Sequence, residues 1–289
     1  MNWHETIEFI SQKEEYKDLV RFGYFDKDLK LNVSRFGASN EYLETLNLIR
    51  KYVPNAQKIL DIGAGNGISS INLALSGYKV FAIEPDPSNL VGRSAINKLK
   101  EDFNLDQLSV FNHCAEDMDF PDESFDLVYI RQAMHHANDL EKFLRNVGRV
   151  LKKGGYLFTI RDHAVFSSKD KELFLNYHPL HMLYGGENAF SPETYRQAMG
   201  TGGLKVVEEI KYFDSEINYY PYQAHEIAEI PSQIKRKLKE ELKYKLGIIS
   251  RIPFVLYLYK IKNGYWSTKD YFNEELIPGR MYSYIARKI

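Results

Sequence analysis

The 289-residue chain has one cysteine, Cys114, so no internal disulfide helps to hold it together. A disulfide-free chain suits a reducing compartment, and a cytoplasmic location is expected. No apolar run approaches the roughly 20 residues of a membrane helix. The longest, residues 252–259, is short and includes Pro253. Met1-Asn2-Trp3-His4-Glu5 lacks the basic start and apolar stretch of a secretory leader, so none is expected. Neither charge sign is in excess: 38 Lys and Arg against 39 Asp and Glu leave a net charge of −1. That balance argues against a general binder of nucleic-acid phosphates. There is no internal repeat and no low-complexity linker.

The 44% hydrophobic content is ample for one large core, or for one domain with a sizeable insertion. Residues 1–53 read as helical, with Tyr42, Leu46 and Ile49 at helical spacing and Ser39 or Asn40 as the cap. After Pro54 the pattern changes. Strands are expected at 58–62, 78–83, 108–112, 125–131 and 156–161, the last entered through the Gly154-Gly155 turn. Helices are expected at 67–76, 87–100 and 139–151. Strands alternating with helices give an α/β fold with a parallel sheet and right-handed crossovers. Ser191-Pro192-Glu193-Thr194 opens a further helix to 199, and strands follow at 204–213 and 280–289. The stretch between those two strands holds a helix at 232–246 and reads as a lid. The expected divisions are a helical cap, 1–54; a core, 55–214; a lid, 215–278; and a final core strand, 279–289.

Residues 59–68 read I-L-D-I-G-A-G-N-G-I, an apolar strand running into Gly63, Gly65 and Gly67. Glycines there let the backbone turn tightly and meet a ligand, and the helix that follows offers unpaired amides and a positive dipole end. A parallel sheet binds ligands beyond the carboxyl ends of its strands, where strand order reverses. Glu84 closes the second strand about 20 residues on, where a carboxylate accepts ribose hydroxyls. An adenosine-type ligand follows. NAD is the natural rival, but its fingerprint G-x-G-x-x-G fails here, because Ile68 stands where the third glycine belongs.

The pattern D-I-G-A-G-N-G led by Asp61 resembles motif I of the class I S-adenosylmethionine (SAM)-dependent methyltransferases. The resemblance runs from about residue 58 to 160. I-E-P-D at 83–86 is similar to the family's second strand end, bringing Glu84 and Pro85. C-A-E-D-M-D-F-P-D-E-S-F-D-L-V at 114–128 resembles its adenine loop and fourth strand. H-H-A-N-D-L at 135–140 and R-V-L-K-K-G-G-Y-L at 149–157 resemble its next helix and turn. The branch is the bacterial small-molecule one that includes the ubiquinone-type methyltransferases. The resemblance implies a Rossmann-like, doubly wound, seven-stranded and mostly parallel sheet. Its last strand is antiparallel and inserted beside the fifth. It also implies SAM as cofactor, held by Asp61, Gly63, Gly65, Gly67, Glu84, Pro85, Ala115, Glu116 and Arg131. One departure concerns the adenine. Members often have an aspartate where this chain has Cys114, so Ala115, Glu116 or backbone must serve instead.

Relatives that methylate nucleic-acid bases carry [DN]-P-P-[YF] after the fourth strand. Here Arg131-Gln132-Ala133-Met134 stands there, so a small-molecule acceptor is expected and no nucleic acid. The expected base is His163, tuned by Asp162, with His136 as an alternative. Arg161 would grip an anionic acceptor bidentately. His135, His178, His181, Tyr184 and Asn188 would line the acceptor pocket, the last four in a substrate loop. The spacing of His163, His178, His181 and Glu187 matches no standard metal site, so no metal is expected. Arg-Asp-His followed by H-x-L-Y-G-G-E-N-A-F is similar to bacterial methyltransferases associated with surface-polysaccharide gene sets.

These residues favour O-methylation of a small polar or anionic acceptor: a sugar, a nucleotide sugar or a phosphate-bearing intermediate. A phenol, quinone-like or lipid-linked acceptor is the alternative, as is a SAM-binding protein without methyl transfer. The basic amphipathic helix over 234–243 is a solvated face or a contact to a membrane surface, without stable insertion. A homodimer is a further expectation.

Overall fold

The computed structural model describes residues 1–247 and 253–289. Residues 248–252, which include part of the expected lid and the start of the 252–259 apolar run, lie outside the described residues. Residues 1–218 with 278–289 form one compact unit, and residues 219–277 form a second.

The first unit begins with four helices: α1 (Trp3–Ile10), α2 (Lys17–Gly23), α3 (Leu29–Gly37) and α4 (Asn40–Tyr52). Asn2 and Glu5 cap α1 reciprocally, and the Ser39 side chain caps α4 by accepting from the Tyr42 amide. Alternation then sets in: β1 (Lys58–Ile62), α5 (Ile68–Leu75), β2 (Lys79–Ile83), α6 (Arg93–Asp102), β3 (Leu108–Phe111), β4 (Phe125–Arg131), α7 (Leu140–Val150) and β5 (Leu151–His163). Next come α8 (Ser168–Tyr177), α9 (Pro179–Tyr184), α10 (Pro192–Thr201), β6 (Leu204–Ile210) and the single turn α11 (Glu216–Tyr219). In the second unit, α12 (Ala224–Leu246) packs on α13 (Pro253–Lys262). The chain returns to the first unit as β7 (Met281–Lys288).

The seven strands lie in the order β3-β2-β1-β4-β5-β7-β6. The pairs β3–β2, β2–β1, β1–β4 and β4–β5 are parallel, while β7 runs antiparallel to both β5 and β6. This is the Rossmann-like sheet that the family resemblance implies. Strand order reverses between β1 and β4, so their carboxyl ends flank the crevice where such sheets take ligands. Ile59, Leu60, Val80, Leu127, Val128 and Leu157 are fully buried. Strands covered on both faces read as continuous apolar runs, which is why they were legible. α7 shows the complementary pattern: Phe143, Leu144, Val147 and Val150 bury one face. Each such side chain contributes roughly 1.5–3 kcal/mol by leaving water.

Several boundaries differ from expectation. Gly154-Gly155 does not precede β5 but lies inside it. Gly154 adopts a left-handed φ, and the pairing with β4 slips between Phe125 and Leu127, so the strand absorbs the glycines as a bulge. α6 starts at Arg93, not near Pro87. The Asp86 side chain accepts from the Ser88 amide and Asp86's carbonyl from the Arg93 amide, holding residues 87–92 as a loop. The substrate loop expected over 178–188 holds α9, and α8, which carried no expectation, precedes it. The Ser167 and His178 side chains cap them, and Pro179 sits at the first turn of α9. In the second unit α12 starts at Ala224 and runs through Pro231, and the apolar run forms α13. No helix among the described residues is long and apolar enough to cross a membrane.

Candidate functional site

The glycine turn after β1 opens onto a cavity of about 470 Å³, within the usual range for small-molecule sites. Gly65 has φ +56°, and a Cβ built there would meet nothing within 4 Å, so the turn presents bare backbone to open space. The Gly63 and Ala64 amides donate to the Ile83 carbonyl, tying the turn to β2. Gly67, expected to touch the cofactor, does not line the cavity. Its amide donates to the Ala64 carbonyl, and a Cβ would press on Ile96 of α6 at 3.0 Å. Its role is to let α5 start against α6.

Glu84 lies at the cavity wall. One carboxylate oxygen accepts from the Gly65 amide (2.8 Å) and the other from the Asp86 amide (2.9 Å). A carboxylate has about four acceptor positions, so two remain for ligand hydroxyls. Burial pushes its pKa up to about 7, against the pull of the two amides. Asp61 is 1% exposed and accepts from the Ser70 hydroxyl. Burial lifts its pKa to about 7 as well. Pro85, Ala115 and Glu116 also line the cavity. The Asn146 side chain donates to the carbonyls of Ala115 (3.2 Å) and Glu116 (2.7 Å). The Glu116 carboxylate accepts from the Asn138 amide (3.0 Å), at the start of α7. Cys114 and His113 line the same wall.

Arg131 reaches the cavity, but its guanidinium is committed. It donates to both carboxylate oxygens of fully buried Glu41 and lies over the rings of Tyr24 and Phe36, at 5.6 and 5.1 Å. Burial lowers its pKa, and Glu41 more than restores it. Arg131 is therefore a brace between α4 and the end of β4. Arg161, expected to grip an anionic acceptor, points elsewhere. It does not line the cavity; it donates to the Ile217 carbonyl (2.6 Å), with Nε 3.7 Å from Glu41. Its left-handed φ of +62° and the pairing slip between Thr159 and Asp162 turn the side chain away from the cleft.

The histidines gather at the ends of β4 and β5. Asp162 does not tune His163. Its Oδ1 accepts from the His135 amide (3.1 Å) and from His135 Nδ1 (2.9 Å). His163 Nδ1 instead donates to the Gly279 carbonyl (2.7 Å). His135, His136, His163, His178, Tyr184 and Glu187 all line the cavity, whereas His181 and Asn188 do not. The His181 amide donates to His178 Nδ1 in the cap of α9, and Asn188 accepts from Lys171 Nζ (2.6 Å). Burial alone would lower His135, but Asp162 and Glu187 hold its pKa up to about 9. Burial and the neighbouring His135 press His136 down to about 4. Burial likewise lowers His163 and His178. Burial would raise Glu187, yet the surrounding histidines keep it well below the usual carboxylate range.

One contributor escaped the sequence reading. Glu41 carried no signal, because its arginine partners lie about 90 and 120 residues away. Glu187 was weighed there with His163, His178 and His181, but only the fold brings it to His135. Trp3 of α1, Phe25 between α2 and α3, and Tyr184 at the end of α9 supply an aromatic wall: Trp3 lies 5.7 Å from Phe25 and 5.1 Å from Tyr184, ring to ring.

Residues 60–159 match the family described as "Methyltransferase domain". The chain is 33% identical to the uncharacterized methyltransferase YcgJ of Bacillus subtilis, over 42% of this chain and 46% of that protein. It thus spans about half the length of that relative. It is 24% identical to a ubiquinone biosynthesis O-methyltransferase of Rhizobium etli, over 67% of this chain and 74% of the other. Among solved structures, geranyl diphosphate C-methyltransferase of Streptomyces coelicolor A3(2) superposes with a TM-score of 0.56 at 12% identity. That match covers 86% of this chain and 76% of that one, a likeness of fold.

Proposed function

The chain carries a class I SAM-dependent methyltransferase domain of the bacterial small-molecule branch, and on that premise we propose that the protein methylates a hydroxyl of a small, ring-shaped acceptor. The supporting observation is one continuous cavity: the Gly65 turn and Glu84 line it together with the imidazole of His136. SAM, when bound, supplies a methyl group on a sulfonium that any aligned nucleophile displaces. Glu84 keeps two acceptor positions for its ribose, and Gly65 leaves room for backbone contact. Ala115 and Glu116, with carbonyls fixed by Asn146, border the adenine side. Asp61 and Arg131 also border the cavity, and their side chains hold α5 against β1 and α4 against the end of β4.

His136 is the base of this reading, in place of His163. Its side chain is 38% exposed to the cleft, while His163 is enclosed. The His136 Nδ1 proton is donated to the Gly186 carbonyl (3.2 Å), leaving Nε2 to accept a proton. A pKa near 4 keeps it unprotonated but also makes it a modest base. Alignment of acceptor, methyl and sulfur, worth about 7–11 kcal/mol, then outweighs base catalysis, worth roughly 10²–10⁴-fold. The case for an anionic acceptor weakens, because Arg161 turns away and Arg131 is paired. A sugar hydroxyl remains the preferred acceptor. A phenol-type ring is the second reading, favoured by the Trp3, Phe25 and Tyr184 wall and by the ubiquinone-pathway relative.

The test is transfer of labelled methyl from SAM into fractionated bacterial extract. Label in polar or glycan fractions supports the sugar, and label in the apolar aromatic fraction supports the phenol. In either case His136→Ala should lower transfer 10²–10⁴-fold with SAM binding retained. SAM binding without label in any fraction would overturn the reading.

A further inference from the structure

His135, His163 and Glu187 are each buried, and one ligand atom of each lies within 4.8 Å of the other two. His135 belongs to the short turn after β4, His163 ends β5, and Glu187 follows α9. The fold therefore brings two imidazoles and a carboxylate from three elements into one wall of the cleft. His136 Nε2 and His178 Nδ1 stand just outside, at 3.9 and 4.0 Å from the Glu187 carboxylate.

We propose that His135, His163 and Glu187 bind a divalent first-row transition-metal ion. Two imidazoles and one carboxylate are a donor set that such ions accept while keeping open positions for water or substrate. Ion binding would draw the three donors together, since zinc–nitrogen bonds of about 2.0–2.1 Å set tetrahedral neighbours roughly 3.3 Å apart.

The outer contacts carry the inference. Metal-ligating histidines usually donate their second N–H to a carboxylate or carbonyl, which fixes the tautomer and aims the free nitrogen. Both histidines here are anchored that way. His135 Nδ1 faces the Asp162 carboxylate (2.9 Å), and His163 Nδ1 faces the Gly279 carbonyl (2.7 Å). Carboxylates and carbonyls accept, so each Nδ1 carries a proton and each Nε2 is the nitrogen left to take an ion or a second proton. Glu187 is oriented as well, by the Tyr184 hydroxyl donating to Oε1 (2.8 Å). His135 Nε2 and Glu187 Oε2 then stand 3.6 Å apart, two electron-pair donors facing each other. A positive charge has to satisfy both: a second proton on His135, or a metal ion that His163 also ligates. A proton on His135 explains only that pair. It does not account for the His163 ligand atom that lies within 4.8 Å of both.

Metal binding stands apart from the methyl-transfer reading; only a role in holding an acceptor oxygen rests on it. The test uses protein freed of metal by EDTA and titrated with Co(II) alone, without SAM. The expected result is one Co(II) per chain with visible d–d absorption. Glu187→Gln and His135→Gln should each weaken binding at least tenfold, and Asp162→Asn should weaken it about 10–100-fold while leaving one ion per chain. Where a variant fails to fold, ¹⁵N NMR of the Zn(II)-titrated parent decides. His135 and His163 should both shift as Nε2 ligands. No stoichiometric binding, binding unchanged in Glu187→Gln, or a His135 imidazolium that persists with Zn(II) would overturn the site. Metal binding without SAM binding would leave it standing and remove the proposed function.

Discussion

The Glu84 carboxylate accepts a 2.8 Å hydrogen bond from the Gly65 amide, 19 residues away in sequence. The acidic end of β2 and the glycine turn after β1 are thus one surface. Parallel pairing explains it: Ile62 lies beside Ile83, so the residues that follow each strand emerge together at the same edge. Most of the ligand chemistry proposed for the cleft depends on that junction.

Cofactor affinity should depend on pH through this carboxylate. Burial raises Glu84 from 4.5 to about 7, so the ionised acceptor form dominates only above about 7. Affinity for SAM should be full above that pH and fall below it, by up to tenfold per unit. The same shift has a stability consequence of opposite sign. The folded protein holds the proton more tightly than the unfolded chain, so the free protein should lose stability as pH climbs from about 4.5 through 7. Calorimetric SAM titrations and thermal melts between pH 5 and 8 check both slopes.

Gly65→Ala and Gly67→Ala should separate binding from folding. Each places a side chain at a left-handed φ, a strain of about 1–2 kcal/mol. At Gly65 the added methyl meets no protein atom and projects into the cleft, so SAM affinity should fall while the melting temperature drops only a few degrees. At Gly67 the methyl strikes Ile96, so the melting temperature should fall further. Thermal melts with paired SAM titrations read the difference.

Glu41→Gln should be among the costliest single changes in the first unit. It leaves the Arg131 guanidinium without its bidentate partner and removes the nearest carboxylate from Arg161, both in buried surroundings. Breaking a buried charge pair on one side costs about 3–5 kcal/mol. Urea unfolding should show a loss of that order, and a loss below 1 kcal/mol would mean that water reaches the arginines.

The legibility of the chain followed the range of its interactions. β1, β2 and β4 were readable because double burial leaves mainly apolar runs, such as Val-Phe-Ala-Ile at 80–83. The glycine turn and Glu84 were readable because both are local signals with fixed spacing. α9 was not, since its cap, His178, sits among glycines, histidines and a proline that also suit a loop. The directions of Arg131, Arg161 and Asp162 were hidden for a different reason. Each is decided by a partner far away in sequence, namely Glu41, Ile217 or His135. A charged Arg161-Asp162-His163 at a strand end looks like one functional triplet, whereas the fold sends its three side chains to three different partners.

Titrating SAM into the parent protein and into Glu84→Ala by calorimetry tests the central claim most directly. Glu84 offers two charge-assisted acceptor positions, each worth about 1.5–3 kcal/mol. The expected result is saturable one-to-one binding in the parent, weakened roughly a hundredfold or more in Glu84→Ala, with an unchanged circular dichroism spectrum. Absence of binding in the parent, or equal affinity in the two proteins, would contradict the assignment of this cleft to SAM.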